Sequence, residues 1–139
     1  MGRILAIDYG KKRTGIAVTD PLRIIATALE TVESHELIKY LKTYLSKEAV
    51  DEFVVGMPKT LMNEDSENAP LVRKFVEALK LTFPDKPIHL ADERFTSSMA
   101  KRSMIDSGMK KKDRRVKGNV DMISAVIILQ SFMSRTNVI

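Results

Sequence analysis

RILAIDYGKKRTGIAVTD, residues 3–20, holds two short apolar runs on either side of a charged turn. The runs at residues 3–9 and 14–20 each have the length of a strand, and the short link between them predicts a β-hairpin. Pro21 ends the second run, and a weaker alternation over residues 23–32 predicts a third strand. The chain is therefore expected to begin with three antiparallel strands joined by short links.

The rest of the chain alternates between helical and strand patterns, and Ser34 is predicted to cap the first helix. Apolar runs predict two more strands, and apolar residues at helical spacing predict four helices. The strands are expected at residues 51–56 and 88–91, and the helices at residues 37–45, 70–79, 96–108 and 120–133. This order predicts an α/β fold with a five-stranded mixed sheet, antiparallel in strands 1–3 and parallel in strands 4–5, flanked by helices.

Length and composition narrow the class of protein. A chain of 139 residues predicts a single domain over residues 1–139. The absence of cysteine excludes disulfides and thiolate metal sites, and two histidines far apart in sequence, His35 and His89, suggest no zinc site. Any metal would therefore be held mainly by carboxylate oxygens, which suits Mg²⁺ or Mn²⁺.

The apolar segments are short. The first ten residues show no secretory signal, and the longest apolar run, residues 125–129, is too short to span a bilayer. We therefore expect a cytoplasmic protein without a membrane partner.

Positive charge is concentrated in one stretch. Lys and Arg number 23 against 18 acidic residues, a net charge of +5. Residues 101–118 alone carry a net charge of +6, so the remainder sums to −1. Such a patch indicates a polyanionic partner, with a solvated loop as the alternative. Its basic residues are Lys101, Arg102, Lys110, Lys111, Lys112, Arg114, Arg115 and Lys117.

Acidic residues stand at the ends of two predicted strands and in the last helix. Asp8 ends the first strand, Asp92 and Glu93 follow the fifth, and Asp121 lies early in the final helix. If the first, fourth and fifth strands are neighbours, these acids share one edge of the sheet, where α/β proteins commonly bind ligands. Each has a simpler explanation, as a turn residue, a surface ion pair with Arg94 or a first-turn helix acid.

Clustered carboxylates suit the hydrolysis of a phosphodiester. Two divalent ions about 3.5–4 Å apart can activate water and stabilise charge on the leaving oxygen. Without a cation, neighbouring carboxylates would repel one another. Because side chains alternate along a strand, Asp92 and Glu93 cannot both face the same site if the strand runs through them, and the pattern alone does not choose between them.

Several other residues near these acids allow two interpretations. Lys11, Lys12 and Arg13 either meet phosphates or form an exposed hairpin turn, and Arg94 is a candidate phosphate ligand. His89 alternates with apolar residues in a predicted strand, so a non-catalytic role is favoured.

Four motifs in order, spread over nearly the whole chain, resemble those of the YqgF/RuvX family. They are IDYGKKRTGIAVTD at residues 7–20, VVGMP at 54–58, DERFTS at 92–97, and VD at 120–121 followed by IILQ at 127–130. The resemblance implies a ribonuclease H-like fold, similar to that of RuvC-type Holliday junction resolvases. It also implies nuclease activity, since members are regarded as candidate junction resolvases or as enzymes that process the 5′ end of precursor 16S ribosomal RNA.

The resemblance assigns roles to individual positions. Asp8, Glu93 and Asp121 match the catalytic and metal-binding acids, with Asp92 in reserve for Glu93. The matching basic positions that would meet substrate phosphates are Lys12, Arg13 and Arg94. The loop at residues 59–68 departs from the pattern, because it lacks the glycine that many members carry, so no substrate contact is assigned to it.

The leading hypothesis is a metal-dependent nuclease that uses Mg²⁺ or Mn²⁺ and processes precursor 16S rRNA, with pre-ribosomal particles as partners. The basic stretch at residues 110–117 would follow the nucleic-acid backbone. One alternative is a resolvase of branched DNA, which normally needs a dimer, whereas the chain is expected to be a monomer or a weak homodimer. Others are a non-catalytic nucleic-acid-binding maturation factor and, least favoured, an ATPase of the actin and sugar-kinase fold, which needs two such lobes.

Overall fold

The computed structural model describes residues 2–57, 69–92 and 117–136, and side chains in these ranges except 92, 117–121 and 135–136. The five strands are β1 (Arg3–Asp8), β2 (Arg13–Thr19), β3 (Ala26–Glu33), β4 (Val50–Met57) and β5 (Ile88–Asp92). The helices are α1 (Leu37–Lys47), preceded by a 3-10 turn (Ser34–Glu36), then α2 (Ala69–Thr82) and α3 (Lys117–Thr136).

The strands form one sheet in the order β3-β2-β1-β4-β5. β1 pairs antiparallel with β2, and β2 with β3, while β4 runs parallel to both β1 and β5. This confirms the predicted mixed sheet and makes the first, fourth and fifth strands neighbours. Their carboxyl ends therefore meet at one edge.

Alternation along the strands divides the core into two layers. Leu5 and Ile7 of β1 pack with Phe53 and Val55 of β4 under α1 and α2. The other face of the sheet carries smaller side chains and packs against α3. The residues of this second layer are Ile4, Ala6, Ala17, Val54 and Ala91 from the sheet and Ala125, Ile128, Leu129 and Met133 from α3.

The small side chains on this second face explain how closely one helix packs across the sheet. Ala6 and Ala17 are partners across β1 and β2, and both are fully buried. Their methyl groups let α3 approach the sheet closely, while Leu129 and Ile128 fill the remaining space. The final helix is therefore fixed to the centre of the sheet.

The third strand begins at Ala26, later than the predicted residue 23, because a tight turn precedes it. Asp20 Oδ1 accepts hydrogen bonds from the amides of Ile24 (2.7 Å) and Ile25 (2.8 Å). Arg23 has a positive φ of 60°, which a strand residue does not adopt. The side chain of Asp20 satisfies the amides that a strand would otherwise pair.

Ser34 is not a helix cap, so that prediction was wrong. It opens the 3-10 turn, Glu33 occupies the cap position, and no side chain caps this turn. The Ser34 hydroxyl instead donates to the carbonyl oxygen of Gly10, 2.5 Å away. A contact between residues this far apart in sequence overrides the local capping signal.

The other predicted elements hold, with shifted ends. β2, β4 and β5 differ from prediction by one residue at their ends, and α3 begins at Lys117 instead of residue 120. Pro70 lies in the first turn of α2, as predicted. The predicted loop at residues 59–68 and helix at 96–108 lie outside the described residues. No helix in the described part of the chain is long and apolar enough to cross a membrane.

Candidate functional site

Asp8 is the last residue of β1 and lies at the edge where three parallel strands end. Ile7 pairs with Val55 of β4, so Asp8 lies level with Gly56, and Gly56 in turn pairs with Ala91 of β5. The backbone of Asp92 lies one position further along β5, two strands from Asp8, which is about 10 Å. The sheet thus brings two of the predicted acidic positions to one edge.

The alternation of β1 decides which face Asp8 occupies. Ile4 and Ala6 belong to the layer beneath α3, whereas Leu5 and Ile7 face α1 and α2. Asp8 continues the even-numbered series and is partly buried. Its carboxylate therefore lies on the α3 face of the sheet.

α3 runs from the edge of the sheet that carries Asp8 toward the opposite edge. Its carboxyl end lies at that opposite edge, where Met133 lines a groove with Ala26 and the ring of Phe132 lies 4.8 Å from that of His89. The twelve residues from position 121 to Met133 span about 18 Å, and the four from Ile4 to Asp8 about 13 Å. The helix is therefore long enough for its first turns to reach the edge at which β1 ends.

Position 121 also falls on the side of α3 that faces the sheet. Ala125 and Ile128 are buried against the sheet, and position 121 precedes them by four and seven residues. Position 121 thus continues the buried stripe of α3 by helical spacing. That Asp121 joins Asp8 at one site stays a prediction.

A row of small residues surrounds Asp8 on the α3 face. Gly15 of β2 pairs directly with Asp8, and Gly56 and Ala91 continue the row through β4 and β5. Across these four strands, Asp8 has the only side chain in the row larger than a methyl group. The sequence analysis passed over Gly15, although a glycine inside a strand often marks a close approach by a ligand or backbone.

The turn after Asp8 presents positive charge to solvent. Lys11 and Lys12 are exposed, and Arg13 is partly buried as the first residue of β2. Gly10 is required in this turn, because a Cβ there would collide with the carbonyl oxygen of Arg13. The predicted phosphate-contact residues Lys12 and Arg13 therefore lie in a tightly closed turn beside Asp8.

Two further contacts hold the chain on either side of this turn. The ring of Tyr9, next to Asp8, stacks on Phe75 of α2 with centroids 4.7 Å apart. Ser34 binds the turn itself, through its amide to the carbonyl of Lys12 (2.9 Å) and through its hydroxyl. The backbone around Asp8 is thus anchored to α2 and to the 3-10 turn that precedes α1.

His89 lies away from this edge. It is the second residue of β5, and its Nε2 forms a 2.9 Å hydrogen bond with Glu52 Oε1. Arg23 donates to the other oxygen of Glu52 and to Asp51, each at 2.9 Å. These contacts agree with the non-catalytic role predicted for His89.

The metal-binding set stays a prediction. In residues 2–57, 69–92 and 117–136, no three Asp, Glu or His side chains form a group that could hold a metal ion. Glu93, Arg94, Lys110, Lys111, Lys112, Arg114 and Arg115 lie outside the described residues. For Asp92, Lys117 and Asp121 the backbone alone is described.

Comparison with known proteins gives consistent matches. The family model described as RuvX, Holliday junction resolvase, matches residues 2–135. A relative from Parabacteroides distasonis, named as a candidate pre-16S rRNA nuclease, is 56% identical over 133 residues, covering 96% of this chain and 95% of its own. Two further relatives carry the same name. The one from Bacteroides fragilis is 52% identical over 133 residues and covers 96% of each chain. The one from Flavobacterium psychrophilum is 51% identical over 135 residues, covering 97% of this chain and 98% of its own.

Solved structures of RuvC share the fold. The chain matches Thermus thermophilus RuvC in complex with a Holliday junction substrate at a TM-score of 0.59 and 16% identity, covering 99% of this chain and 97% of RuvC. A second structure of the same protein matches at a TM-score of 0.58 and 15% identity, covering 96% of each chain. The fold is therefore ribonuclease H-like, as the sequence predicted.

Proposed function

The chain belongs to the RuvX family, and we propose that it is a nuclease that hydrolyses phosphodiesters during processing of the 5′ end of precursor 16S rRNA. The observation that carries this proposal is the position of Asp8 and of α3. The carboxylate of Asp8 lies at the end of β1 on the sheet face that packs against α3, and helical spacing puts position 121 in the stripe of α3 that faces the sheet, which supports the proposal. Relatives more than 50% identical are named as candidate pre-16S rRNA nucleases, which supports this substrate.

We propose that Asp8, Glu93 and Asp121 hold Mg²⁺ or Mn²⁺, with Asp92 in reserve. Oxygen donors and no thiols suit these ions. When bound, such ions activate water and stabilise charge on the leaving oxygen.

The alternation of side chains along β5 supports Glu93 over Asp92 as the proposed metal ligand. Ile88 packs on the side of α1 and α2, while Ala91 and the ring of His89 face α3. Odd-numbered positions of β5 therefore share the face of Asp8. If the strand direction continues for one residue, Glu93 joins that face and Asp92 does not.

Basic residues would bind the substrate backbone around this carboxylate set. Lys12 and Arg13 lie in the turn next to Asp8, and we assign Arg94 and the stretch at residues 110–117 to the same task. Such contacts release counterions, so binding should weaken as salt rises. Aromatic residues make up 6% of the chain, with no Trp, which favours recognition of backbone and shape over base stacking.

We further propose that residues 1–139 form one nuclease domain that works in the cytoplasm on pre-ribosomal particles, as a monomer or weak homodimer. Bacterial relatives whose name refers to rRNA support this setting. Co-sedimentation with precursor small-subunit particles tests the partner. A protein found only at the top of the gradient in growing cells would contradict it.

The substrate is tested by sequencing the 5′ ends of 16S rRNA in cells depleted of this protein. Extended 5′ ends that the wild-type gene corrects, and an Asp8→Asn gene does not, are expected. Unchanged ends would contradict the RNA-processing proposal.

Cleavage of Holliday junctions is the second candidate function, because the matching family model carries that description. Purified protein offered both a labelled precursor RNA and a labelled four-way DNA junction separates the two. Paired, symmetric cuts in the junction together with untouched RNA would favour the resolvase. Binding of either nucleic acid without any cleavage under Mg²⁺ or Mn²⁺ would favour a maturation factor.

A further inference from the structure

Ser34 connects the start of the α1 layer to the basic turn at residues 10–13. Its amide donates to the carbonyl of Lys12 at 2.9 Å, and its hydroxyl donates to the carbonyl of Gly10 at 2.5 Å. The hydroxyl oxygen also lies 2.8 Å from Thr14 Oγ1. Thr14 is fully buried and Ser34 is 9% exposed, so water competes little for these hydrogen bonds.

The single proton of each hydroxyl group fixes the direction of these hydrogen bonds. A serine hydroxyl has one proton, and that of Ser34 points to Gly10, so the Thr14 hydroxyl is the donor to Ser34. A relay therefore runs from Thr14 through Ser34 to the backbone of Gly10. Together with the Ser34 amide, it holds both arms of the turn.

Helix formation does not account for this arrangement, since the side chain of Ser34 caps nothing and α1 begins at Leu37. The Ser34 amide extends the ladder in which Arg13 pairs with Glu33, but strand pairing does not require the bonds of the hydroxyl. What the hydrogen bonds of Ser34 fix is the backbone that carries Lys11 and Lys12, both of which are exposed.

We propose that Ser34 is a positioning residue that holds the basic turn in the conformation that receives substrate phosphates next to Asp8. This inference rests on the proposed function, because it assigns the turn to the same site. A backbone fixed before binding lowers the entropy lost when the lysine side chains engage phosphates. Ser34 itself touches neither the substrate nor the reacting atoms.

Ser34→Ala removes the hydroxyl and keeps the amide, so it tests the relay. Thr14→Val removes only the hydroxyl that donates to Ser34, and Thr14→Ser keeps it. Ser46→Ala is the matched control, because the exposed Ser46 hydroxyl donates to the carbonyl of Thr43 within α1. Binding to a labelled precursor 16S RNA is measured by anisotropy in EDTA, so that cleavage plays no part. Ser34→Ala should raise Kd by about fivefold to tenfold, as expected for one lost buried hydrogen bond.

Three more readouts separate positioning from general damage. Kd should depend less steeply on salt in Ser34→Ala because fewer phosphates are neutralised. In Mg²⁺, the variant should raise KM with kcat within about twofold of wild type. Thr14→Val should show the same changes at smaller size, whereas Thr14→Ser and Ser46→Ala should match wild type. If Ser34→Ala fails to fold, Thr14→Val tests the same hydrogen-bond relay in its place.

Limited trypsin digestion reports the order of the turn without any substrate. Cleavage after Lys11 and Lys12, identified by mass spectrometry, should be several times faster in Ser34→Ala than in wild type or Ser46→Ala. Faster cleavage together with unchanged Kd and salt dependence would overturn the proposal, because the turn would then be held but not used. Unchanged cleavage would overturn it as well. Wild-type protein that binds neither RNA nor junction DNA would instead overturn the proposed function.

Discussion

At the scale of single residues, Asp8 is set apart from the rest of β1 by its neighbours. Gly15 and Gly56 flank it on the adjoining strands, so the space around its carboxylate is not filled by other side chains of that row. An acid at a strand end could have been a turn residue, as the sequence allowed. The small neighbours make Asp8 the one functional group of this row on the α3 face, which supports its assignment to the proposed site.

Filling this space should impair the site more than the fold. Gly15→Ala places a methyl group about 5 Å from the Cβ of Asp8, on the same face. We expect cleavage of precursor RNA to fall about tenfold, with the melting temperature within a few degrees of wild type. Ala28→Ser, on the exposed part of β3, is the control. Equal activity in Gly15→Ala and wild type would show that the space is not used.

Asp51 acts at the opposite edge and should make stability depend on pH. A hydrogen bond from the Gly2 amide, with help from Arg23, lowers the pKa of its carboxyl group. Because this pKa lies below the unfolded value, the ionised carboxylate stabilises the fold above the unfolded pKa. That stabilisation disappears as pH falls through the folded pKa.

Asp51→Asn is therefore expected to lower the melting temperature near neutral pH. The difference from wild type should shrink between about pH 5 and about pH 3. Thermal unfolding followed by circular dichroism measures this, with Asp85→Asn in an exposed turn as the control. A difference that stays constant down to pH 3 would contradict the assigned pKa direction.

At the scale of elements, the strands were predictable and some of their contacts were not. Apolar runs and the short links between them were enough to predict three antiparallel strands and the later crossovers. The turn before β3 escaped notice because Asp20 replaces strand pairing with side-chain hydrogen bonds. The role of Ser34 escaped notice because its partners lie on another strand pair, which a local pattern does not reveal.

The choice between Asp92 and Glu93 likewise depends on packing that a local sequence pattern does not reveal. Alternation would put only one of them on the face of Asp8 if the strand ran through both, and the sequence does not say which one; the choice stays a prediction. Only the packing of Ile88 and Ala91 on opposite layers assigns the parity of β5. Gly15 was likewise visible as a glycine in a strand, but its meaning depends on the register that places it opposite Asp8.

α3 should contribute strongly to stability, because it covers the whole second layer of the core. Leu129 is fully buried between Ala125 and Met133 against the sheet. Leu129→Ala should lower the free energy of unfolding by about 2–5 kcal/mol, as found for deleted core leucines. Gln130→Ala, at the exposed neighbouring position, should change it by less than about 0.5 kcal/mol. Urea titration measures both, and equal values would contradict this packing.

At the scale of the whole molecule, the two edges of the sheet have different tasks. At the edge where β1 and β4 begin, Arg23 joins the β2–β3 turn to Asp51 and Glu52, and Glu52 binds His89. At the edge where they end lie Asp8 and the basic turn at residues 10–13. Ion pairs thus brace the first edge, and the second is the one to which we assign the substrate.

The charge of the molecule fits a polyanionic substrate at that second edge. The net charge is +5, and its excess lies in the segment that leads into α3. A long-range field of this sign would speed the encounter with nucleic acid, and salt would weaken it.

The most direct test of the central claim is cleavage of a labelled precursor 16S rRNA by purified protein, with and without Mg²⁺ or Mn²⁺. Wild-type protein should cut near the mature 5′ end only when the ion is present. Asp8→Asn should bind the RNA with unchanged Kd and lose at least about a hundredfold in rate, while Asp85→Asn retains full activity. Undiminished metal-dependent cleavage by Asp8→Asn would contradict the assignment of the site to the end of β1.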